Sequence, residues 1–139
     1  MAIKEVSPYL SFEGRAEEAL KHYERALGGK IESILRFGDI EYTRNQTPPE
    51  RQQRIMHSVL RVGPSTIALS DAMDGRAPAD GSFAVVLEVD DVADQARMFD
   101  ALAAGGKVVA PLHDTFWGAK WGMLVDVFGV RWMLNCQKK

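Results

Sequence analysis

The sequence predicts an α+β fold made of two βαβββ modules that form a cupped mixed sheet around a central cavity. The segment Ala-Leu-Gly-Gly-Lys at 26–30 recurs as Ala-Ala-Gly-Gly-Lys at 103–107, an offset of 77 positions (103 minus 26). The order strand, helix, glycine pair, strand, hairpin occurs in both halves, which indicates an internal repeat. The open sheet of one such module has a helix on only one face, so two modules placed side by side cover each other.

The composition fits one domain and excludes several classes of protein. The 139 residues are 46% apolar and carry a net charge of −2, with both signs mixed along the chain. No basic stripe with interleaved aromatics is present, so nucleic acid is not an expected partner. No apolar run reaches the length of a membrane span, and the N-terminus lacks a signal-peptide pattern, so we expect no membrane partner. The lone Cys136 cannot form an internal disulfide and is expected to be buried, which favours a cytoplasmic location.

Module one is expected at about 1–72. Its predicted elements are a strand at 3–12, a helix at 15–27, a strand at 30–37, and hairpin strands at 55–62 and 66–71. Pro8 lacks an N–H group and therefore marks the first strand as an edge or a bulge. The polar segment 38–53 is interpreted as a mobile loop with a short helical turn after its proline pair. The buried face of the helix is predicted to hold Ala16, Ala19, Leu20, Tyr23, Ala26 and Leu27.

Module two is expected at about 83–139, after a linker at 73–82. Its predicted elements are a strand at 83–89, a helix at 92–104, a strand at 107–112, and hairpin strands at 121–125 and 130–134. The nearly all-apolar first strand predicts burial on both faces. Asp91 is the expected N-cap of the helix, and Glu88 is expected to be a surface charge. The inward helix face is predicted to hold Val92, Ala96, Phe99 and Ala103.

The C-terminal hairpin carries the most informative alternation. Around the turn at 126–129, Val130, Trp132 and Leu134 are predicted to point into the core. Arg131, Met133 and Asn135 then face the other way and would form the wall of a partly polar pocket. Trp117 and Trp121 flank a flexible glycine; a pocket rim and a cap on the core remain equally open interpretations.

The arrangement resembles the vicinal oxygen chelate superfamily of glyoxalase I, bleomycin-resistance proteins and extradiol dioxygenases, most closely its PhnB-like branch. The residues that carry the resemblance are Tyr9-Leu10-Ser11-Phe12, Leu27-Gly28-Gly29, Met56-His57, Leu69-Ser70-Asp71 and Asp126-x-Phe128-Gly129-Val130-Arg131-Trp132. The family usually has proline where this chain has Val127. The resemblance implies a glyoxalase-like fold and a homodimer. The methyltransferase label often given to this branch is doubtful, because no glycine-rich turn is present to seat a methyl-donor nucleotide.

The resemblance also allows the superfamily's metal site to be tested residue by residue. Enzymes of the superfamily hold a divalent metal through His, Gln and Glu. The corresponding positions in this chain are Pro8, Ala84, Ala68 and Met133. None of these side chains offers a carboxylate oxygen or an imidazole nitrogen, so we expect no metal and no other cofactor.

The first functional hypothesis is therefore a protein that binds a small organic ligand in its cavity without a metal. The predicted ligand pocket consists of Tyr9, His57, Ser70, Trp117, Trp121, Arg131, Met133 and Asn135. His57 is the best catalytic candidate, with a structural sheet histidine as the alternative. Arg131 favours an anionic or carbonyl-bearing ligand. A metal-dependent lyase or dioxygenase with other ligands, or a metal-free catalyst using His57, is the second hypothesis. The sequence leaves open the identity of the ligand, any reaction, and whether 38–53 closes over the pocket.

Overall fold

The computed structural model describes residues 5–72, 83–115 and 117–137. The backbone divides into two compact units, Met1–Pro78 and Ala79–Lys139. The predicted linker at 73–82 lies outside the described residues. Each unit contains one four-stranded mixed sheet, so the α+β class and the βαβββ order of both halves are confirmed. Across the described parts of the chain, no helix combines the length and the apolar character needed to cross a bilayer.

The first unit consists of a four-stranded sheet, two α-helices and two short 3-10 turns. Its elements are β1 (Tyr9–Phe12), α1 (Ala16–Leu27), β2 (Lys30–Arg36), the 3-10 turn Phe37–Asp39, α2 (Glu41–Asn45), the 3-10 turn Pro49–Arg51, β3 (Ile55–Val62) and β4 (Ser65–Asp71). The strand order is β1-β4-β3-β2, and only the β1–β4 pair is parallel. Helix α1 packs against β2, β3 and β4. All six residues predicted for the inner face of α1 are buried.

Strand β1 is shorter than predicted. It begins at Tyr9 rather than at position 3, and residues 5–8 are not in a strand. Pro8 has no N–H for the ladder, so it contributes only its carbonyl oxygen, which accepts a hydrogen bond of 3.1 Å from the Ala68 N–H. β1 is an edge strand, as the proline indicated.

The segment at 37–53 is more regular than the predicted loop. It contains α2 and both 3-10 turns, and the helical turn predicted after the proline pair is Pro49–Arg51. Phe37 is buried, and the Thr43 hydroxyl donates to the Phe37 carbonyl at 2.7 Å. The Arg36 guanidinium donates to the Gln53 carbonyl at 2.8 Å, which joins the two ends of the segment. Side-chain hydrogen bonds therefore hold this polar segment in a defined backbone conformation.

The second unit repeats this plan with fewer additions. Its elements are β5 (Val85–Glu88), α3 (Val92–Ala103), β6 (Lys107–Asp114), β7 (Ala119–Val125) and β8 (Arg131–Gln137). The strand order is β5-β8-β7-β6, with β5 and β8 parallel, and the predicted C-terminal hairpin is confirmed. The prediction that β5 is buried on both faces is wrong. β5 is an edge strand in which Val86 remains 51% exposed, and Phe83 lies outside the strand.

Helix α3 buries a face that shares only Phe99 with the predicted one. Asp91 is the N-cap, as expected, and its carboxylate accepts from the Asp94 N–H at 2.9 Å. The buried residues are Gln95, Phe99 and Leu102, whereas Val92 is 42% exposed. The Gln95 amide donates to the carbonyls of Lys120 and Leu134, at 2.9 and 3.2 Å. These hydrogen bonds offset the cost of burying a polar side chain. The buried face of α3 therefore includes Gln95 instead of Ala96 and Ala103.

The repeated glycine pair has two separate physical functions. The first glycine of each pair, Gly28 or Gly105, has a positive φ of 65° or 77°. Gly28 is the left-handed C-cap of α1, whereas Gly105 follows Ala104, the C-cap of α3, in a turn closed by the Gly106 N–H, which donates to the Ala103 carbonyl at 2.9 Å. The second glycine lets two backbone segments approach. A Cβ on Gly29 would lie 2.8 Å from the Arg61 carbonyl oxygen, and one on Gly106 would overlap the Val125 carbonyl. The sequence repeat therefore records a repeated backbone geometry.

Candidate functional site

Asp71 organises the end of β4 from a buried position. Its carboxylate accepts hydrogen bonds from the N–H groups of Gly14 at 2.7 Å, Ala16 at 3.1 Å and Ile55 at 3.0 Å. It therefore holds the start of α1 and the start of β3 beside the strand that carries Ser70. Asp71 therefore caps the start of a helix and the start of a strand with one carboxylate.

Tyr9, His57 and Ser70 lie together on the first sheet. The Tyr9 hydroxyl donates to the Ser70 Oγ at 3.0 Å, and the Tyr9 and His57 rings are 6.2 Å apart between centroids. Ser58 is paired with Leu69, so His57 and Ser70, each adjacent in its strand, share the opposite face of the sheet. We call the face defined by Tyr9, His57 and Ser70 the open face of the first sheet.

These three side chains differ in exposure and therefore in what they offer a ligand. Ser70 is only 5% exposed, while Tyr9 is 56% exposed and His57 is exposed. His57 makes no hydrogen bond to another group among the residues that the structure describes, so it is a sheet-face histidine rather than a hydrogen-bonded core one. Its imidazole can donate or accept a hydrogen bond, and it lies beside a phenol and a hydroxyl that are already hydrogen-bonded to each other.

A row of side chains crosses all four strands of the second sheet. Glu88 is paired with Asn135, Asn135 with Trp121, and Trp121 with His113. Trp117 lies in the turn before β7 and contacts two members of the row, Trp121 and Asn135. We call Glu88, Asn135, Trp121, His113 and Trp117 the cross-strand row. Because α3 packs against β6, β7 and β8 through the alternate residues, the row lies on the face without the helix.

The cross-strand row is connected by hydrogen bonds and ring contacts. The Asn135 amide donates to Glu88 Oε2 at 2.9 Å, and its oxygen accepts from Trp117 Nε1 at 3.5 Å. The two indoles meet at 69° with centroids 6.4 Å apart, and His113 stands edge-on to Trp121 at 5.8 Å. Trp117 is 47% exposed, so the indole that fills the core of this unit is Trp132 instead. Trp117 therefore does not cap the core, which was one of the two interpretations open from sequence.

Arg131 and Met133 lie on the same face, further along β8. Both are half-buried, and their neighbours in register are Val125 and Met123 on β7. The Arg131 guanidinium points at the thioether of Met123, with Nη1 3.5 Å from Sδ. The predicted alternation of the last strand is confirmed, because Trp132 and Leu134 are fully buried on the other side.

Two residues of the row, His113 and Glu88, are absent from the predicted pocket, and the placement of Glu88 is the more informative miss. Glu88 was expected to be a plain surface charge, but the parallel pairing of β5 with β8 sets it beside Asn135. In the first unit Ser11 pairs with Ser70, and adding the offset of 77 to position 11 gives position 88.

The geometry can now be compared with known proteins. A sequence profile of the Glyoxalase/Bleomycin resistance protein/Dioxygenase superfamily matches residues 6–134. The chain belongs to this superfamily. Protein YjdN of Escherichia coli (strain K12) is 35% identical to this superfamily member over 141 residues, which cover 96% of each chain.

Solved structures agree with this assignment. Protein PA1353 from Pseudomonas aeruginosa has a TM-score of 0.86 and 38% identity to this superfamily member, and the match covers 99% of this chain and 100% of that one. A putative 3-demethylubiquinone-9 3-methyltransferase, PhnB protein, from Bacillus cereus has a TM-score of 0.78 at 22% identity, covering 96% and 99% of the two chains. The second match shows a shared fold. The predicted resemblance to the superfamily and to PhnB-like proteins is confirmed.

The side chains of this protein at the expected metal-ligand positions do not fit the divalent metal that enzymes of the superfamily hold. The structure shifts the first-strand positions, since Tyr9 rather than Pro8 pairs with Ala68, and Val86 rather than Ala84 pairs with Met133. The Tyr9 oxygen is already bound to Ser70, and the other side chains offer at most a thioether. Within 5–72, 83–115 and 117–137, no group of three or more His, Cys, Asp or Glu side chains could hold an ion.

Proposed function

We propose that this protein binds a small organic ligand against an open sheet face, without using a divalent metal. The observation that carries the proposal is the cross-strand row, in which Trp117 and Trp121 stand beside Asn135 on a sheet face. A ligand site needs broad apolar surface together with a few polar groups in fixed positions. The row offers both within one unit.

The two indoles support the proposal because of where they are. Trp117 is 47% exposed, and Trp121 is half-buried on the same face. An indole that could have filled the core but lies on a sheet face gives a planar ligand a large contact area at little conformational cost. The Asn135 amide, which hydrogen-bonds to both sides, has a fixed orientation and can distinguish donors from acceptors.

The open face of the first sheet offers polar groups that a ligand could bind. The Tyr9 hydroxyl and the nearly buried Ser70 form one hydrogen-bonded pair, and the His57 ring lies beside it. We propose that this face can bind a polar group of a ligand, with His57 as donor or acceptor. If the protein catalyses a reaction, His57 is the general base that we would test first.

The proposal that no metal is used depends on the side chains at four positions. Tyr9, Ala68, Val86 and Met133 provide no carboxylate or imidazole at the positions where superfamily enzymes bind their metal. A metal-dependent lyase or dioxygenase is the alternative, and the described residues contain no cluster of donors that favours it.

The proposed ligand site can be tested by NMR on the intact protein. Benzoate, benzyl alcohol and benzyltrimethylammonium share a phenyl ring and differ in charge. We expect at least one of them to shift the indole N–H resonances of Trp117 and Trp121, and the Trp121→Ala variant to weaken that binding. Trp132 is the internal control, because its indole N–H is bound to buried Asp126 at 2.9 Å. If no probe moves the two resonances at millimolar concentration, the proposal is wrong.

We also propose that the protein is a cytoplasmic homodimer. The edge strands β1 and β5 are each four residues long, and exposed apolar residues lie on or beside them, with Val6 at 89% and Phe83 at 84%. Unpaired edges with apolar neighbours are usually covered by another chain. The buried free thiol of Cys136 suits a reducing compartment. Light scattering at micromolar concentration should give twice the mass of the chain, and a monomer would contradict the dimer.

A further inference from the structure

We propose that the cross-strand row binds a positively charged group of the ligand, an alkylammonium or a guanidinium, with Glu88 as the counter-ion. This inference names the chemical class of the ligand and rests on the function proposed above. Trp117 and Trp121 would form the aromatic walls around the cation. The sequence alone favoured an anionic ligand because Arg131 was the only charge expected on this face, and the structure adds Glu88 to it.

The first argument concerns the charge of Glu88. Its carboxylate is exposed and accepts one hydrogen bond, from the neutral amide of Asn135. The carboxylates of Glu17, Glu18, Glu32 and Asp94 each lie within 4 Å of an arginine or lysine nitrogen. Glu88 has no such ion pair among the described residues. The hydrogen bond from Asn135 therefore holds a carboxylate in the row that no described arginine or lysine neutralises within 4 Å.

The second argument concerns the arrangement of the indoles around that charge. The Trp117 N–H donates to the Asn135 oxygen, while the Asn135 N–H donates to Glu88, so one amide holds an indole and a carboxylate at fixed positions. Trp121 meets Trp117 at 69° and adds a second ring face. Organic cations bind over indole faces through the ring quadrupole, and a nearby carboxylate strengthens that attraction. The row combines both elements.

The third argument concerns the basic side chains on this face, Lys107, Arg131 and His113. Lys107 is paired with Val125, beside Arg131 and six residues from His113 along β6. Arg131 lies four residues from Asn135 along β8, or roughly 13 Å at the rise of an extended strand. Its guanidinium is directed at the Met123 sulfur. His113 places its Nδ1 2.8 Å from the Pro111 carbonyl oxygen. A carbonyl can only accept, so Nδ1 carries the hydrogen and donates it to this carbonyl rather than to a ligand. The row thus favours a cation over an anion.

The test uses calorimetric titration of the full chain with the three probes. We expect benzyltrimethylammonium to bind about tenfold more tightly than benzyl alcohol, and benzoate to bind more weakly than either. Glu88→Gln should reduce the affinity for benzyltrimethylammonium by about tenfold and leave that for benzyl alcohol within about twofold. Asp100→Asn is the matched control, because it removes the same charge from the exposed side of α3 and should change neither affinity.

The possible outcomes separate this inference from the proposed function. If Glu88→Gln and a second variant, Glu88→Ala, both bind benzyltrimethylammonium as tightly as the native protein, Glu88 is not the counter-ion and the inference is wrong. Stronger binding of benzoate than of benzyltrimethylammonium would also overturn it, while the ligand site would stand. If none of the three probes shifts the Trp117 and Trp121 indole resonances, both proposals fail.

Discussion

At the scale of single residues, two buried carboxylates carry local structure that the neighbouring sequence does not supply. Helix α1 begins after Arg15, which gives no side-chain cap, and Asp71 from β4 binds the Ala16 N–H instead. Asp126 accepts from the N–H groups of Phe128 and Val130 and from the Trp132 indole, each at 2.9 Å. Both carboxylates are almost fully buried. Their oxygens are occupied by structural hydrogen bonds, so neither is a candidate for acid–base chemistry.

Asp71→Asn tests this structural role. The amide replaces one acceptor oxygen with an NH2 group that faces backbone donors, so we expect the free energy of unfolding to fall by about 2–3 kcal/mol. Urea denaturation followed by circular dichroism measures the change. Asp100→Asn should leave the midpoint almost unaltered. A midpoint for Asp71→Asn equal to that of the native protein would show that the three hydrogen bonds contribute little.

At the scale of elements, Arg36 joins three parts of the first unit. Its guanidinium binds both oxygens of Glu17 on α1, at 3.0 and 2.9 Å, and also the Gln53 carbonyl. The hydrogen bond from Arg36 is the main reason that the pKa of Glu17 lies below its ordinary value of 4.5, and Lys21 adds to the effect. The same pair raises the pKa of Arg36. The 37–53 segment is thereby tied to a helix and a strand.

Glu17→Gln should therefore destabilise the protein in a pH-dependent way. The folded protein lowers the pKa of Glu17, so its stabilisation is complete above the unfolded value of 4.5 and is lost as the pH falls through the lower folded value. Because the Glu17 side chain is 39% exposed, solvent screening limits the loss near pH 7 to less than about 1 kcal/mol.

Urea denaturation from about pH 7 down to about pH 3 measures this effect. The difference between native protein and variant should narrow at the acid end. Glu41→Gln, in exposed α2, is the control and should show no such trend. A difference that stays constant over the whole range would contradict the assigned ion pair.

The glycine pairs allow a second test at the element scale. Gly28→Ala strains only the backbone, since no atom lies within 4 Å of the new Cβ, and should cost about 1 kcal/mol. Gly106→Ala forces the new methyl group into the Val125 carbonyl and should cost about 3 kcal/mol or more. Chemical denaturation of the two variants side by side checks the order. Equal losses would mean that the two strands separate easily at this point.

At the scale of the whole molecule, the repeat is kept in the backbone while the side chains diverge. Ser11 and Ser70 pair in one unit, and Glu88 and Asn135 pair at the corresponding place in the other. Tyr9 with Ala68, and Val86 with Met133, occupy the next matched positions. The fold has thus been retained with a set of donors unsuited to the superfamily's metal.

Metal addition tests this conclusion on the intact protein. We expect saturating zinc, nickel, manganese or iron(II) to raise the melting temperature by less than about 1 °C, since only a ligand that prefers the folded state stabilises it. Thermal unfolding with and without the metal, after treatment with a chelator, is the measurement. A large and saturable increase for one metal would favour the lyase or dioxygenase alternative.

Much of the fold could be predicted from sequence because local patterns determine it. The inner face of α1, the glycine pairs and the C-terminal hairpin each depend on periodicity or turn chemistry. The inner face of α3 could not be predicted, because Gln95 is buried only where strand carbonyls accept its amide protons. Glu88 was missed for a similar reason, since its place depends on which strands pair. Which residues lie side by side in a sheet depends on the register between two strands, and the sequence of one strand does not determine that register.

The positions of the three tryptophans also make the protein its own optical reporter. Trp132 is sealed in the core, whereas Trp117 and Trp121 lie on an accessible sheet face. Ultraviolet emission should therefore contain a blue component that survives acrylamide and a redder one that is quenched. Occupancy of the face would change the second component, and loss of the native state would change the first, so one spectrum separates the two events without any attached dye.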